Sequence, residues 1–380
     1  MKILVIQDHL RSGGTERQSV FLSEAFASAG NEVTLMTFRP GGILGRRISD
    51  AESRNTAGGP ARIALQPFDT GMDWFAPRLF SRAAALAPDV ILCHGRMANC
   101  YAGGLQRRIP SAAAVATLRT GKPLPRMFRR SLRTVRHVIA NSRQARDFVV
   151  TDLGIRRDNV SVIYNPLLFE AGAAPGAAAW QERPARAIEL RSASGASPGT
   201  LVLLSVAMFR PEKNQRELIE IGAELPHGLD WQLWLAGDGP ARNACIRLAR
   251  ERGIGDRVKF PGFSSEPGGL YAAADAAVHA SSSESLSNFL IESQAAGLPA
   301  VAYSAQGVAE CMIPDRTGWV IDRGNRAAFR IALERLAADP PGTRAARAAE
   351  AAAFARATFD PVRQVAAYLE LFGKLTNRLA

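Results

Sequence analysis

The densest group of polar side chains lies in the second half of the chain, directly after an apolar run. Residues 281–288 are mostly small and polar, with Glu284 among them, and Glu292 follows eight positions later. Ser287 or Asn288 is a suitable helix N-cap, and the amides of a helix N-terminus favour a diphosphate. A carboxylate can accept hydrogen bonds from two vicinal hydroxyls. This spacing predicts Glu284 near the reacting end of a ligand and Glu292 near a diol.

A second charged group, containing Arg210 and Lys213, follows the apolar run from Leu201 to Ala207. Cations at the carboxyl end of a strand suit a phosphate group. No Asp-x-Asp pair occurs, although metal-bridged diphosphate sites commonly use that spacing. Charge on a leaving group would then be balanced by lysine, arginine and helix amides without a metal. An ordinary alternative exists for both groups: surface turns, a helix cap and solvated charges.

Two weaker signals lie in the first half of the chain. Gly13 and Gly14 follow the first apolar run and would let backbone amides approach a ligand, although an ordinary tight turn accounts for them equally well. His94 ends a short apolar run and would point toward the predicted ligand-binding cleft, or serve structure alone. His279 lies within an apolar pattern and is predicted to be a core residue.

The charged residues, the glycine pair and His94 all lie next to apolar runs that alternate with helical patterns, so strands and helices are expected to hold them in place. Continuous apolar strands are typical of parallel sheets buried on both faces, and ligands bind at the carboxyl ends of such strands. We therefore predict an α/β protein with two doubly wound parallel-sheet domains and a cleft between them. The predicted strands are 2–7, 32–38, 89–93, 113–118 and 136–141, then 201–207, 232–236, 258–260, 276–279 and 300–303.

Composition places the domain boundaries. Residues 169–200 are rich in Ala, Gly, Pro and Ser and are predicted to connect a first domain, 1–168, to a second, 201–360. Within the connecting region we predict one helix, around Ala185 to Arg191. The tail, 361–380, has apolar residues at helical spacing, and we expect it to pack back on the first domain.

Cysteine usage and hydropathy indicate a reducing compartment. The 380 residues are 47% hydrophobic and 22% charged, which is ordinary globular usage and argues against disorder. Four scattered cysteines without a C-x-x-C pair favour neither a disulfide framework nor a structural zinc site. The first apolar run is too short for a signal peptide, and no run approaches 18 apolar residues. We expect a cytoplasmic protein.

Net charge is concentrated in one segment. Residues 90–146 carry twelve of the 47 basic residues and no acidic one, so the remainder of the chain has 35 basic and 35 acidic residues. A nucleic-acid-binding protein, which the pI of about 10.3 would suggest, usually spreads its excess charge along a face. The confined charge and the lack of a binding motif argue against nucleic acid and for a local anionic partner.

Several motifs, taken in order, resemble the family 4 retaining glycosyltransferases. The two glutamates form an E-x7-E pattern that is followed by Gly297-Leu-Pro. The other matching stretches are Gly13-Gly14-Thr-Glu-Arg-Gln, Val162-Ile-Tyr-Asn-Pro166, Leu235-Ala-Gly-Asp-Gly-Pro240, Val258-Lys-Phe-Pro-Gly262, Tyr271-Ala-Ala-Ala-Asp275, Gly307-Val-Ala-Glu310 and Thr317-Gly318. The resemblance extends over nearly the whole chain and is densest from Leu201 to Thr317.

The resemblance implies the GT-B fold and transfer of a hexose, with retention, from a UDP- or GDP-type sugar to a glycan or lipid-linked acceptor. Bacterial-type polysaccharide or glycolipid synthesis would be its setting, without cofactor or metal. The implied catalytic residues are Glu284, Lys213 and Arg210. The implied donor-binding residues are Glu292, Gly13, Gly14, Ser287, Asn288, Phe289 and Gly239. His94 and Arg119 are the acceptor-side candidates.

This chain departs from the family pattern at two positions. Met208 stands where the family usually has an arginine, five residues before the lysine, and Arg210 is the nearest replacement. Arg119 stands where many members have a histidine. A nucleotide-sugar epimerase of the same fold is the alternative enzyme, since it would bind the same donor without an acceptor.

The basic segment predicts a membrane contact. Residues 122–137 place Arg126, Arg129, Arg130, Arg133 and Arg136 at helical spacing, with Met127, Phe128 and Leu132 as the apolar contact and Val135 extending it. A short basic helix of this kind can lie on an anionic membrane surface. We expect peripheral attachment to the inner face of the cytoplasmic membrane, with a phosphate-bearing acceptor. Pairing of these arginines with carboxylates elsewhere in the fold is the alternative.

Overall fold

Apolar runs in both halves of the chain form buried parallel strands. The computed structural model describes residues 1–45, 59–168 and 184–377. The chain divides into unit 1, Met1–Leu168 with Pro361–Ala380, and unit 2, Phe169–Asp360. Each unit has its own sheet and its own hydrophobic core.

Unit 1 is built on a seven-stranded parallel sheet with the order β3-β2-β1-β4-β5-β6-β7. Apolar clusters cover both faces of this sheet, as the continuous apolar strands predict. The strands are β1 (Lys2–Gln7), β2 (Glu32–Thr37), β3 (Ala61–Ala64), β4 (Val90–Cys93), β5 (Ala113–Leu118), β6 (His137–Ala140) and β7 (Val160–Val162). The first helices are α1 (Gly14–Ser28), α2 (Leu79–Ala85), α3 (Arg96–Arg108), α4 (Arg126–Leu132) and α5 (Arg143–Thr151).

Unit 2 has a six-stranded parallel sheet with the order β10-β9-β8-β11-β12-β13. Its strands are β8 (Leu201–Val206), β9 (Trp231–Ala236), β10 (Val258–Gly262), β11 (Ala276–His279), β12 (Ala300–Tyr303) and β13 (Gly318–Ile321). Its helices are α6 (Ala185–Ser194), α7 (Gln215–Ala223), α8 (Arg242–Glu251), α9 (Gly268–Ala273), α10 (Asn288–Ala295), α11 (Arg326–Ala338) and α12 (Pro341–Thr358). Both sheets therefore have the doubly wound strand order.

The last helix, α13 (Pro361–Thr376), belongs to unit 1. Tyr368 and Phe372 are fully buried there. Their rings lie 5.8 and 5.6 Å from the ring of Phe26, between centroids. Three aromatic rings in mutual contact attach the end of the chain to α1.

The predicted connecting region, 169–200, contains α6 (Ala185–Ser194), close to the helix predicted there around Ala185 to Arg191. Residues 169–183 lie outside the described residues, whereas α6 is part of unit 2. Arg191 fixes this helix: its side chain is fully buried, and its Nη1 donates to Asp275 Oδ2 and to the carbonyl of Ala273, both at 2.9 Å. A buried arginine needs such partners, and the low-complexity composition before it gave no sign of them.

The basic segment forms a shorter helix than its pattern predicts. Helix α4 has seven residues. Phe128 and Leu132 are 1% exposed and Val135 is 9% exposed, because they pack into the unit 1 core. The predicted membrane contact by these three residues is therefore wrong. Met127, 48% exposed, keeps its side chain at the surface.

Candidate functional site

The candidate site lies at the point in the unit 2 sheet where the strand order reverses. Strands β8 and β11 are neighbours there, with Leu203 opposite Ala276. The chain continues from β8 toward β9 on one side, and from β11 toward β12 on the other. In doubly wound sheets, this divergence leaves a crevice at the carboxyl ends of the strands, where ligands bind. Lys213 follows β8 and Glu284 follows β11, so topology brings the two predicted groups together.

Lys213, Glu284 and His279 form one hydrogen-bonded group. Lys213 Nζ lies 2.5 Å from Glu284 Oε1, and His279 Nε2 lies 3.0 Å from the same oxygen. Burial would raise the pKa of Glu284, but the Lys213 ammonium and the His279 ring outweigh it and lower this pKa to about 2. The carboxylate is therefore ionised although its side chain is only 9% exposed. An ionised carboxylate shielded from water interacts strongly with charge that develops nearby.

Backbone contacts join the two loops that carry this group. The backbone N–H of Ser282 and the hydroxyl of Ser281 both donate to the Glu212 carbonyl, at 2.8 and 3.0 Å. Lys213 ends a single 3₁₀ turn, Pro211–Lys213, and Asn214 follows with a left-handed φ of 52°. Asparagine tolerates that conformation better than most residues. The lysine is thereby held against the loop of Glu284.

Two glycines support the Lys213 loop from the end of β9. A Cβ on Gly237 would lie 2.0 Å from the Ala207 carbonyl oxygen, and one on Gly239 would lie 2.6 Å from the Phe209 carbonyl oxygen. Both glycines have a positive φ, of 132° and 146°. The N–H of Phe209 donates to the Asp238 carbonyl at 2.9 Å. Gly239, a predicted donor-binding residue, thus positions the loop between β8 and Lys213.

Helix α10 holds the second predicted glutamate. Ser287 is its N-cap, as predicted, with Oγ accepting from Leu290 N at 3.4 Å; Asn288 and Phe289 are the first helical residues. Glu292 is 7% exposed and accepts a 2.8 Å hydrogen bond from the Tyr271 hydroxyl. Glu292 is therefore buried and hydrogen-bonded, which excludes the alternative that it is a solvent-exposed helix residue.

Arg210 does not join the group around Glu284. Its side chain is exposed, and its carbonyl accepts from Lys213 N at 2.9 Å. Within the described parts of the chain, no carboxylate lies within ion-pair distance of its guanidinium. Its predicted catalytic role stays a prediction.

Sequence reasoning missed His279 and Tyr271 as site residues. His279 is 2% exposed, as a core residue would be, but its ring bonds to Glu284. Tyr271 lies in a stretch that matched the family pattern, yet nothing there indicated that its hydroxyl reaches Glu292. The useful signal was position: His279 ends β11, five residues before the glutamate that it contacts.

The glycine pair of unit 1 begins helix α1. Gly13 is the N-cap, with φ of −74° and ψ of 159°, and Gly14 is the first helical residue. A Cβ on Gly13 would lie 2.2 Å from Glu16 Oε2, so a larger residue here would displace the end of the Glu16 side chain. Contact of these glycines with a donor stays a prediction.

The acceptor-side candidates lie at the carboxyl ends of β4 and β5. His94 is 2% exposed, and within the described residues neither ring nitrogen has a hydrogen-bond partner. Burial first, and then the Arg119 charge, hold the pKa of His94 well below its usual value. Arg119 donates to Asn165 Oδ1 at 2.7 Å and to the Tyr368 hydroxyl at 3.4 Å. The described side chains thus combine a neutral histidine with an anchored arginine.

The corresponding point of the unit 1 sheet, between β1 and β4, is already occupied by a side chain. The Asp8 carboxylate accepts from the N–H groups of Met97 and Ala98, at 2.9 and 2.8 Å, at the N-terminus of α3. A Cβ on Gly95 would lie 2.2 Å from Asp8 Oδ1, so any larger residue there would displace this carboxylate. Because these amides already hold an anion, the corresponding point of unit 2 is the better phosphate site.

Two family models match adjacent parts of the chain. One, described as glycosyl transferases group 1, matches residues 187–354, and one described as Glycosyltransferase Family 4 matches residues 12–167. No three His, Cys, Asp or Glu side chains gather in a metal-holding arrangement in the described ranges. The same ranges contain no helix with the length and hydrophobicity that crossing a bilayer requires.

Two curated relatives come from Rhizobium meliloti (strain 1021), both named lipopolysaccharide core biosynthesis glycosyltransferases. LpsE is 36% identical over 138 residues, 36% of this chain, and LpsD is 32% identical over 225 residues, 59% of this chain. The matched stretches span 40% and 60% of those relatives' own lengths. The crystal structure of Anabaena Alr3699/HepE in complex with UDP and glucose superposes with a TM-score of 0.80 at 21% identity, covering 98% of this chain and all of the other. That superposition shows the GT-B fold.

Proposed function

The chain belongs to the glycosyltransferases that these two family models describe, and from this premise we propose that it transfers a hexose from a nucleotide diphosphate sugar to a glycan or lipid-linked acceptor. One observation carries the proposal. Lys213, Glu284 and His279 form a buried charged group where the unit 2 strand order reverses. That is where a nucleotide binds in a doubly wound sheet. Relatives named for lipopolysaccharide core biosynthesis, and a structural neighbour crystallised with UDP, support the donor and acceptor classes.

Each residue has a role in this proposal that follows from its chemistry. The Lys213 ammonium balances the negative charge that the diphosphate gains as the sugar leaves. The Ser287-capped N-terminus of α10 offers amide N–H groups and a partial positive charge to the phosphates. Glu292 accepts hydrogen bonds from the vicinal hydroxyls of the ribose. The ionised Glu284 lies beside the transferred sugar and stabilises positive charge that develops there.

Retention and metal independence are parts of the same proposal. Lys213, the exposed Arg210 and the helix amides balance leaving-group charge without a metal. We expect the product to keep the anomeric configuration of the donor, which NMR of the first product formed would reveal. Full loss of transfer in EDTA would contradict metal independence, and an inverted product would contradict retention.

The first experiment identifies the donor. A thermal-shift screen of UDP, GDP, ADP and their hexose derivatives should single out one nucleotide, because a ligand that binds only the folded state raises its stability by RT ln(1 + [L]/Kd). Incubating the enzyme with that donor alone then tests the epimerase alternative. An epimer of the donor sugar would support the epimerase, whereas a transferase gives at most slow hydrolysis.

The second experiment tests the site. Removing one well-placed charge stabiliser costs roughly a hundred- to a thousandfold in turnover. We expect Lys213→Ala and Glu292→Ala to lose at least a hundredfold in transfer. The matched control is Lys374→Ala, which removes an exposed lysine from α13. Near-wild-type transfer by both site variants would contradict the proposed function.

We further propose that unit 1 attaches to the inner face of the cytoplasmic membrane through residues 122–137. Arg126, Arg129, Arg130 and Arg133 have no carboxylate within 4.0 Å among the described residues. Because the apolar side of α4 is buried in the core, this attachment is mainly electrostatic, with about 1 kcal/mol from each cation near the surface. Arg119 is the candidate contact for an acceptor phosphate.

Co-sedimentation with phosphatidylglycerol vesicles tests the membrane proposal. Binding should be strong at low salt, weak at high salt and lost when the four arginines become serine. Vesicles of phosphatidylcholine alone are the matched control, since they lack net charge. A protein that stays in the supernatant at low salt, or a serine variant that binds unchanged, would contradict it.

A further inference from the structure

One loop of unit 1 presents aromatic rings to solvent. The loop from Pro67 to Pro77, which we call the aromatic loop, follows β3 at the carboxyl edge of the sheet. Phe68 is 70% exposed, Trp74 is 56% exposed and Phe75 is 40% exposed. Burying such rings is the usual outcome of folding. Three exposed aromatic side chains in one loop therefore indicate a surface that binds a ligand.

Hydrogen bonds and ion pairs fix the aromatic loop. Arg39, which follows β2, pairs with Asp69 through Nε and Nη2, at 2.7 and 2.9 Å, and donates from Nη1 to Asp73 at 2.7 Å. The fully buried Gln66 amide donates to the carbonyls of Met72 and Phe75. A loop held at so many points loses little conformational entropy when it binds a ligand.

Buried polar chemistry lies behind the rings. His9, at the carboxyl end of β1, is 5% exposed, and both its ring nitrogens lack a hydrogen-bond partner among the described residues. His9 Nε2 lies 3.9 Å from Asp69 Oδ2, too far for a direct hydrogen bond, so the ring nitrogen could still bond to a hydroxyl that reaches Asp69. The Arg39 guanidinium lowers the pKa of Asp69 to about 2, so this carboxylate remains an acceptor. A buried polar group without a partner is costly, and a hydroxyl ligand would remove that cost.

From these contacts we propose that the aromatic loop, with Asp69 and His9, is a subsite for the sugar rings of an oligosaccharide acceptor. Pyranose rings present an apolar C–H face that packs on an aromatic ring, and their hydroxyls require directional acceptors such as Asp69 and Asp73. Phe68 and Trp74 supply the rings. This inference rests on the proposed function and narrows its acceptor to an oligosaccharide.

Area and charge distinguish a sugar from other occupants. The exposed parts of the three rings amount to on the order of 350 Å², well below the roughly 800 Å² that each partner buries in a stable protein interface. Within 67–77 the charged residues are Asp69 and Asp73, and both are paired: Asp69 with Arg39, and Asp73 with Arg39 and Arg11. The paired charges leave no excess of cations to attract an anionic membrane, in contrast to the α4 surface. A neutral polyhydroxylated ligand fits both observations.

A glycan array tests the subsite with the full chain. The probes are immobilised di- to tetrasaccharides of glucose, galactose and mannose. We expect the protein to bind a subset of them, and Trp74→Ala and Phe68→Ala each to bind at least tenfold more weakly. Trp74→Phe, which keeps a ring, should retain most of the binding. Phe263→Ala is the matched control, because it removes a 58% exposed aromatic residue from unit 2.

The outcomes separate this inference from the proposed function. Wild-type protein that binds no array sugar, or alanine variants that bind like wild type, would overturn the subsite. Weaker binding of the alanine variants to phosphatidylglycerol vesicles, with sugar binding unchanged, would make the loop a membrane contact and overturn it as well. Thermal stabilisation by UDP or GDP reports on unit 2 independently. Loss of that signal with intact sugar binding would count against the proposed function alone.

Discussion

Glu284 shows how a buried carboxylate is kept ionised. Burial opposes ionisation, whereas Lys213 and His279 favour it and lower the pKa of Glu284 to about 2. The ordinary value is 4.5. This carboxylate therefore stabilises the folded protein fully above pH 4.5, and its contribution is lost as the pH falls from 4.5 to 2.

Replacing this group should change how acid unfolds the protein. In Glu284→Gln the titrating group is absent, so the free energy of unfolding should fall less between pH 5 and pH 2.5 than it does in wild type. A shift of this size corresponds to roughly 3 kcal/mol. Urea unfolding at several pH values measures the difference, with the exposed Glu189→Gln as control. Parallel pH profiles for Glu284→Gln and wild type would contradict the description of Glu284.

We predict that Tyr271 positions Glu292 for its proposed ribose contact, since its hydroxyl donates to Glu292 and its ring lies 6.2 Å from the Phe289 ring in a stacked arrangement. Tyr271→Phe keeps the ring and removes one buried hydrogen bond, which typically contributes about 1 kcal/mol to stability. We expect nucleotide affinity to fall about three- to tenfold, with transfer at saturating donor nearly unchanged. Isothermal titration with the nucleotide and steady-state kinetics test this split. Equal losses in affinity and turnover would mean that Tyr271 acts on the reaction itself.

At this scale the sequence predicted residue types better than contacts. Glu284, Glu292 and Lys213 could be predicted because charged residues that follow apolar runs can be recognised from the sequence alone. The partners His279 and Tyr271 come from β11 and α9, and their patterns are those of ordinary core residues. Only folding brings them within hydrogen-bond distance.

The link between β9 and α8 carries two glycines, Gly237 and Gly239, that contact the Lys213 loop. Gly239→Ala would introduce a Cβ 2.6 Å from the Phe209 carbonyl oxygen and would strain a φ of 146°. The loop between β8 and Lys213 must then move, so we expect nucleotide affinity to fall at least tenfold. Gly253→Ala is the matched control: its φ is 71°, but no atom lies within 4 Å of the added Cβ. Thermal shift with UDP or GDP compares them, and equal affinity losses in both variants would contradict a positioning role for Gly239.

Helix α4 illustrates where element-level prediction fails. Its arginines and apolar residues alternate in a pattern that fits a membrane-surface helix and a core-packed helix equally well. Pro125 precedes the first turn and Arg133 ends the helix after seven residues. The core around Phe128 and Leu132 is built from parts of unit 1 that are distant in sequence. The local periodicity of the segment therefore cannot predict that these two residues are buried.

At the scale of the whole molecule, the alternation of strands and helices predicted two parallel sheets. The order of the strands within each sheet could not be predicted, because an apolar run does not indicate which strands lie next to it. Both sheets reverse at the same relative position, between β1 and β4 and between β8 and β11. Unit 1 fills that position with Asp8, whereas unit 2 has Lys213 and a serine-capped helix there. The same topology thus supports two different chemistries.

Because the last helix belongs to unit 1, damage to it should leave unit 2 folded. Phe372 is fully buried against Phe26, and Phe372→Ala should destabilise unit 1 by about 3–5 kcal/mol. Hydrogen exchange should then accelerate in β1 and α1 but not in β8 or β11, and the thermal shift with UDP or GDP should persist. Phe329→Ala, in the unit 2 core, is the matched control with the opposite expected pattern. Equal acceleration in both units would mean that they unfold as one cooperative body, and that the chain's two sheets are not independent in stability.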